Sequence, residues 1–339
     1  DYFDASIPDY LAGDLYQSGY FLTAATLGNL SLTGADDPNF DSYVMDEFAG
    51  GNYDAEEQIT AFYAMVVDKL GDDVTLIAGG RFEGTSINYT GQVFDEEEDE
   101  VPADIGSVTG NNSYYNFLPN LTLQWDVNDE LNLNVAFTQS IARPSYYDLV
   151  PYEYSNSDDQ ELALGNPDLK SSLSTNFDFM GEWYFGGLSL LSFGYFSKDI
   201  KDWIYQYTTN NYTYAGVNGY ELSQLRNGEK ASVSGFELGF QTKFLKNFTF
   251  MGNYTSTDSS TNNVEGRDDV PLTGQVDDMY NLSLAFENSK FFVRASMNYA
   301  SEALDELSGD AYEDRYYDEQ TFLDCLLYTS PSPRDASQS

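Results

Sequence analysis

The sequence contains no histidine and a single cysteine, Cys325. Without histidine, Ser-His-Asp and Cys-His catalysis and imidazole-based zinc sites are excluded. One cysteine excludes an intramolecular disulfide, and so little cysteine is compatible with an exported bacterial protein. Basic residues are scarce too: Lys and Arg total 15 against 56 Asp and Glu, a net charge of -41. Such a surface repels phosphate backbones, so DNA and RNA are excluded as partners. It suits cationic or metal-bearing ligands, or a salty habitat in which acid-rich surfaces stay soluble. No run approaches the ~18–20 consecutive apolar residues of a membrane-crossing helix. The opening residues, DYFDASIPDYL, lack the basic-then-apolar order of a secretory leader, which leaves a mature chain or a missing beginning. Apolar residues seldom recur at three-four spacing, so helices are not expected.

What is present is aromatic and alternating. Tyr 28 and Phe 23 far outnumber Trp 3, a load typical of β-rich proteins and of girdles at membrane interfaces. In ELNLNVAFTQSIARP (130–144), Leu131, Leu133, Val135 and Phe137 share one parity, and Asn132, Asn134, Ala136 and Thr138 the other. The same period of two predicts strands at 58–70, 73–88, 114–127, 130–142, 172–185, 188–205, 230–245, 247–258, 276–287 and 290–301, with another starting near Tyr316.

The connections say more than the strands. LGDD (70–73), VNDE (127–130), FGG (185–187), LKN (245–247) and NSK (288–290) read as tight turns, whereas 89–113, 143–171, 206–229, 259–275 and 302–315 read as long links. Short and long alternate, as they must when successive strands cross a bilayer in opposite directions. Charges inside strands take the polar parity: Arg81 and Glu83 oppose Phe82, Asp178 and Glu182 oppose Phe177 and Trp183, Glu237 opposes Phe236, and Arg294 opposes Val293. An Arg or Lys facing lipid near the midplane costs roughly 2–4 kcal/mol, so this segregation fits a wet lumen and an oily exterior. A soluble sheet with one wet face would segregate its charges the same way. The fold expected is all-β: an antiparallel transmembrane β-barrel wall of about 10–11 strands, which the resemblance given below makes a segment of a larger barrel. Residues 1–57 are expected to be an irregular extracellular-loop and strand-linking region, 58–324 the barrel segment, and CLLYTSPSPRDASQS (325–339) a non-native tail in which Cys325 has no function.

Three stretches carry a resemblance: FLPNLTLQWDVNDELNLNVAFTQSIARPSYYDLVPY (117–152), LGNPDLKSSLSTNFDFMGEWYF (164–185) and GLSLLSFGYFSKDIKDWIY (187–205), with GFELGFQTKF (235–244) following. Their order, an Ala-Arg-Pro exit, a Gly-Asn-Pro-x-Leu-Lys re-entry and a Phe-x-Lys-x-Ile strand, resembles the TonB-dependent receptors of Gram-negative outer membranes, Bacteroidetes-type in particular. The resemblance implies a barrel of about 22 strands with a plugged lumen. It also implies outer-membrane lipid as a partner, a small nutrient ligand (ferric chelate, cobalamin or glycan), and energy from the TonB complex through a plug domain. Neither a plug nor a TonB box is visible in this chain. No enzyme activity, cofactor or metal is expected.

Candidate ligand-binding residues lie in two aromatic, acidic links. The first supplies Arg143, Tyr146, Tyr147, Tyr152, Tyr154, Asp158 and Asp159, and the second Tyr212 and Tyr214. Aromatic faces beside acids can stack on sugar rings or hold a cationic or chelated ligand; a self-packed loop with girdle tyrosines would look the same. Arg81, Glu182, Glu237 and Arg294 are candidate lumen-facing residues that could line a transport path, pair across it or touch a plug. DEEEDE (95–100) lacks the spaced ligands and turn glycine of a calcium cage and reads as a solvated charge run. Two other classes stay open: a secreted acidic all-β protein that binds or cleaves carbohydrate, and a passive porin or adhesin-type barrel.

Overall fold

The computed structural model describes residues 3–4, 21–22, 52–95, 106–262, 264, 266–308 and 311–329. In chain order come β1 (Phe3–Asp4), β2 (Phe21–Leu22), β3 (Asp54–Lys69), β4 (Val74–Asp95), β5 (Gly106–Asn128) and β6 (Leu131–Ala142). A one-turn helix α1 (Tyr146–Leu149) precedes β7 (Glu153–Asn156), β8 (Glu161–Leu164), β9 (Ser172–Phe185) and β10 (Ser189–Lys201). Then follow β11 (Ile204–Tyr214), β12 (Val217–Asn227), β13 (Lys230–Phe244), β14 (Phe248–Asn262), β15 (Asp278–Glu287) and β16 (Phe291–Ala300). The last three are β17 (Ala303–Ser308), β18 (Arg315–Tyr317) and β19 (Gln320–Thr329).

Eleven of these form one antiparallel wall in the order β3-β4-β5-β6-β9-β10-β13-β14-β15-β16-β19. All its tight turns fall at one end and all its long links at the other. The tight turns are built by local chemistry. Asn128 Oδ1 accepts from the amides of Glu130 (2.8 Å) and Leu131 (3.0 Å), and Asn288 Oδ1 from those of Lys290 (2.8 Å) and Phe291 (3.0 Å), both Asx turns. Gly186 and Gly187 turn with φ of 58° and 88°. At 245–247 the same left-handed backbone is forced on Leu245 (φ 46°) and Lys246 (φ 63°), whose Cβ atoms make it costly.

The pairing register puts every apolar row on one face. Trp125 stands opposite Leu133, Phe137 opposite Phe177, Leu191 opposite Phe240, and Phe286 opposite Val293. Among the described residues this face is not covered: Phe117, Trp125, Phe177, Trp183, Leu238 and Leu284 are all exposed. On β5 it runs from Trp125 to Tyr115, ten residues or about 25 Å in height for a strand tilted by ~40°, which is the apolar band of a barrel. Aromatic girdles mark its ends. Trp183–Phe185 and Phe244–Phe248–Phe286 lie near the tight turns, and the stacked pair Tyr280–Tyr299 (4.7 Å, 16°) lies toward the other end. The opposite face carries Asn, Ser, Thr, Gln and the charges.

The long links differ from the sequence expectation of open loop. β4 and β5 extend into 89–113, pairing as far as Val93 with Gly106. The expected strand 188–205 breaks at Asp202 (φ 53°) and continues as β11, which returns as β12. These projections pair sideways: β4 with β7, β8 with β12 and β11 with β17 in parallel, while β7–β8, β11–β12 and β17–β18 are antiparallel. The result is a second ladder at the wall's long-link end. Its physical reason is that backbone amides beyond the wall still need partners, and neighbouring hairpins supply them.

The buried apolar clusters sit in this outer layer. Trp203, Tyr205, Val264, Val270, Leu304 and Leu307 form one; Ile87, Tyr89, Leu149, Val150 and Leu169 another; Leu162, Tyr220 and Leu222 a third. Residues 325–329, assigned from sequence to the tail, continue β19, with Cys325 opposite Ala295 and Thr329 opposite Phe291. The first strand of the wall starts at Asp54, four residues before the expected boundary.

Candidate functional site

The exit of β6 meets the outer ends of β3 and β4 on the polar face. Arg143, just past β6, forms an ion pair with Glu83 through Nη2, and Arg81 pairs with the other oxygen of the same carboxylate. Arg143 also reaches Thr85 Oγ1 (3.3 Å) and Glu57 Oε1 (3.8 Å). Glu83 is buried, with a side chain 8% exposed, so this carboxylate is held by two guanidiniums largely out of water. The strands dictate the meeting. Glu83, Arg81 and Thr85 alternate along one parity of β4, and Glu57 follows the same parity on β3.

The helix α1 sets the tyrosines above this cluster. Ser145 caps it, its hydroxyl accepting from the Asp148 amide (3.3 Å) while Asp148 accepts from the Ser145 amide (3.1 Å). Tyr146 donates its hydroxyl to Glu57 (3.0 Å), and that carboxylate pushes the phenol's pKa up. Tyr147 stacks on Tyr152 at 4.7 Å and 23°, with Tyr53 tilted against it at 6.1 Å. Burial pushes Tyr152 far up, with Tyr147 beside it adding to the shift, so its phenol is a neutral donor at any physiological pH.

Of the residues expected from sequence, Arg143, Tyr146, Tyr147 and Tyr152 converge here, and Arg81 joins through Glu83. Tyr154 lies on β7, in register with Ala163, and Asp158 and Asp159 sit exposed at the β7–β8 turn, where Asn156 Oδ1 accepts from the Asp159 amide (2.9 Å). Tyr212 is exposed near the tip of the β11–β12 hairpin, while Tyr214 donates to Glu153 and meets Tyr220 edge-on at 5.3 Å. These five therefore belong to two hairpins of the outer ladder, β7–β8 and β11–β12. Glu182 accepts from the Tyr184 hydroxyl (3.0 Å) near the tight-turn end. Glu237 lies across Gly194, in register with it, and Arg294 stands over the Phe292 ring at 5.4 Å with its Nε buried and unbonded. All four charged candidates take the polar face, but only Arg81 enters the cluster.

Sequence reasoning missed Glu57, Glu83, Thr85 and Tyr53 as site members. Glu83 carried a signal, a charge on the polar parity; its pairing with Arg143, 60 residues away, carried none. Also missed was an uncharged track along the polar face. Asn253, Asn281 and Asn298 stand in register across β14, β15 and β16, with Asn281 donating to Asn253 at 2.8 Å and Ser296 to Ser283 at 3.3 Å. A pocket of about 500 Å³ lies where the wall top meets 272–275, lined by Ser140, Ser172, Ser174, Ile200 and Trp203 among others. Among the described residues no group of three or more His, Cys, Asp and Glu is placed to hold a metal ion. Most of DEEEDE, residues 96–100, lies outside the described residues.

The geometry is that of a wall with one oily and one wet face, with a charged and aromatic cluster at the outer end of the wet face. A family model described as "TonB dependent receptor-like, beta-barrel" matches residues 2–331. No curated protein matches the sequence. Among solved structures, the fold is similar to the ferric-catecholate import receptor Fiu from K12 E. coli, in its closed form, at 16% identity and a TM-score of 0.61, over 83% of this chain and 39% of that one. It is similar to the copper transporter OprC at 12% identity and a TM-score of 0.62, over 83% and 41%. A third is the siderophore receptor PiuA from Acinetobacter baumannii, at 12% identity and a TM-score of 0.58, over 83% and 38%. The chain thus spans about two fifths of the length of these solved receptors.

Proposed function

Because the chain belongs to the TonB-dependent receptor β-barrel family, whose members sit in the outer membrane and transport rather than catalyse, we propose that it forms part of a receptor importing a scarce nutrient. The nutrient is a ferric chelate, cobalamin or glycan, and import draws on the TonB complex through a plug domain. The observation that carries this reading is the wet face itself. An Arg143–Glu83–Glu57 cluster with the stacked pair Tyr147–Tyr152 stands at its outer end, and a track of neutral amides and hydroxyls crosses β14, β15 and β16 on the same face.

The division of labour follows from chemistry. Stacked phenols offer flat faces to a ring-bearing or chelated ligand. Arg143 offers charge, but Glu83 and Glu57 already hold it, so the cluster is close to neutral and does not select strongly for an anion. A neutral amide track hydrogen-bonds a passing solute without trapping it as a charge would. Arg81, Glu182, Glu237 and Arg294 add charged contacts along the same path.

The test is uptake by cells carrying the full protein, each supplied with a ferric chelate, cobalamin or an oligosaccharide as the limiting nutrient. One class should enter only with the protein present and only with TonB function intact. Joint replacement of Tyr147 and Tyr152 by Ala should cut uptake at low ligand about tenfold or more, for the loss of roughly 1.4 kcal/mol or more of ring contact. Uptake that persists without TonB would make the barrel a passive pore, and recovery of the protein in the medium would end the membrane reading.

A further inference from the structure

Glycine on the exposed apolar face leaves a gap unless a neighbour fills it. At Gly80 the ring of Phe117, and at Gly84 the ring of Tyr115, lies 2.8 Å from where a Cβ would sit, so both gaps are closed by aromatic rings. Gly252 differs. Among the described residues no ring lies over it that closely; a Leu282 methyl fills the side toward β15, 3.0 Å from where a Cβ would sit, and the Phe250 ring stands 3.4 Å away. Its register partners are Phe240 on β13 and Leu282 on β15. A groove of about 630 Å³ results, with Leu238, Phe240, Phe250, Leu282 and Met297 around Gly252.

The groove has a top and a direction. Tyr254 and Tyr280 line its end toward the long links; Tyr254 donates its hydroxyl to Asp278 (2.5 Å), and Tyr280 stacks on Tyr299. Below, Phe250 leads to the Phe248–Phe286 pair near the tight turns. From Tyr254 to Phe250 is four residues, ~13 Å along the strand and about 10 Å in height when tilted, close to one leaflet of a ~25 Å band. Phenols and a carboxylate at the top match the headgroup level, and apolar side chains line most of the rest, with Asn253 among them.

We infer that this groove seats one acyl chain of an outer-leaflet lipid, with the headgroup at the level of Tyr254 and Asp278. The occupant follows from continuity: the groove opens on the face that the outer-membrane setting places against lipid. The inference rests on that setting and not on what is imported, so failure of the import reading leaves it standing. A chain in a groove touches wall on several sides, whereas a chain on the open band touches it on one; the seated lipid therefore exchanges more slowly.

The experiment reconstitutes the full protein in dimyristoylphosphatidylcholine vesicles, extracts it into mild detergent and counts phospholipid retained per protein by native mass spectrometry. The unaltered protein should hold about one, on the order of the single seat argued from the leaflet-long groove. Gly252→Leu, which fills the floor, should lose it at least tenfold, while Gly181→Leu, on the same face beside Leu133 but outside the groove, should not. If Gly252→Leu fails to fold, Leu238→Trp narrows the groove from its wall and should show the same loss. No retained lipid in the unaltered protein, or equal retention in the filled and control variants, overturns the inference.

Discussion

Replacing Leu284 by Arg tests the two-faced wall most directly. Leu284 lies on β15 between Tyr280 above and Phe286 below, in register with Phe250 and Ala295, so it sits near the middle of the apolar band. It is 44% exposed. On a soluble sheet, an exposed Leu→Arg change away from special features usually stays within about 0.5 kcal/mol. Against hydrocarbon, an Arg near the midplane costs about 2–4 kcal/mol. At ~3 kcal/mol the folding constant falls more than a hundredfold. The neighbouring Ser283 supplies the control, since its side chain lies on the polar face beside Ser296. Ser283→Arg should cost less than about 1 kcal/mol, because the guanidinium stays in water. The assay is urea titration of the full protein folded into vesicles, followed by heat-modifiable mobility and tryptophan emission. The reasoning is refuted if Leu284→Arg proves nearly neutral, or if Ser283→Arg is as damaging.

Arg143→Ala should destabilise the outer end of the wall by about 2 kcal/mol, since Glu83 keeps Arg81 but loses its second guanidinium. A double-mutant cycle with Glu83→Gln should return a coupling of about 1–3 kcal/mol, and additivity would show the pair to be incidental. Lys246→Gly should stabilise the protein by about 1 kcal/mol by relieving the left-handed backbone at 246, read as a shifted denaturation midpoint. In the outer layer, Arg267 grips Asp314 at 2.6 and 3.0 Å and the Ser308 amide adds 3.0 Å; burial alone would raise the Asp314 carboxyl, but these partners hold it below the usual range. A depressed carboxyl contributes stability above its unfolded pKa, near 4, that is lost as pH falls through the folded value. Hydrogen exchange at 266–272 should therefore be slow at pH 6 and rise below pH 4 after correction for intrinsic rates; an Asp314→Asn variant should show no such step.

Some features of the site were legible early because they are written in single side chains. Tyr146, Tyr147 and Tyr152 crowd one exit, and aromatic rings so close in sequence cannot avoid one another once α1 turns the chain. Arg81 announced its face by parity. The pairing of Arg143 with Glu83 had no such signal: they meet only because β4, β5 and β6 lie side by side in a fixed register. Likewise Tyr154, Asp158 and Asp159 share a link with that cluster's tyrosines, yet pairing in the outer hairpins carries them elsewhere.

The sequence by itself determined a two-faced antiparallel wall threaded back and forth across a lipid layer, because side-chain alternation and the tight-then-long rhythm of reversals are properties of adjacent residues. It also showed which charges belong to the wet face. Only the tertiary structure decided that the long links form a second ladder with its own buried clusters, that residues 325–329 complete β19, and that Glu57 and Glu83 close around Arg143. Those outcomes depend on which backbone finds which partner across tens of residues. Register between distant strands and packing between hairpins are set by the assembled whole, and no local pattern encodes them.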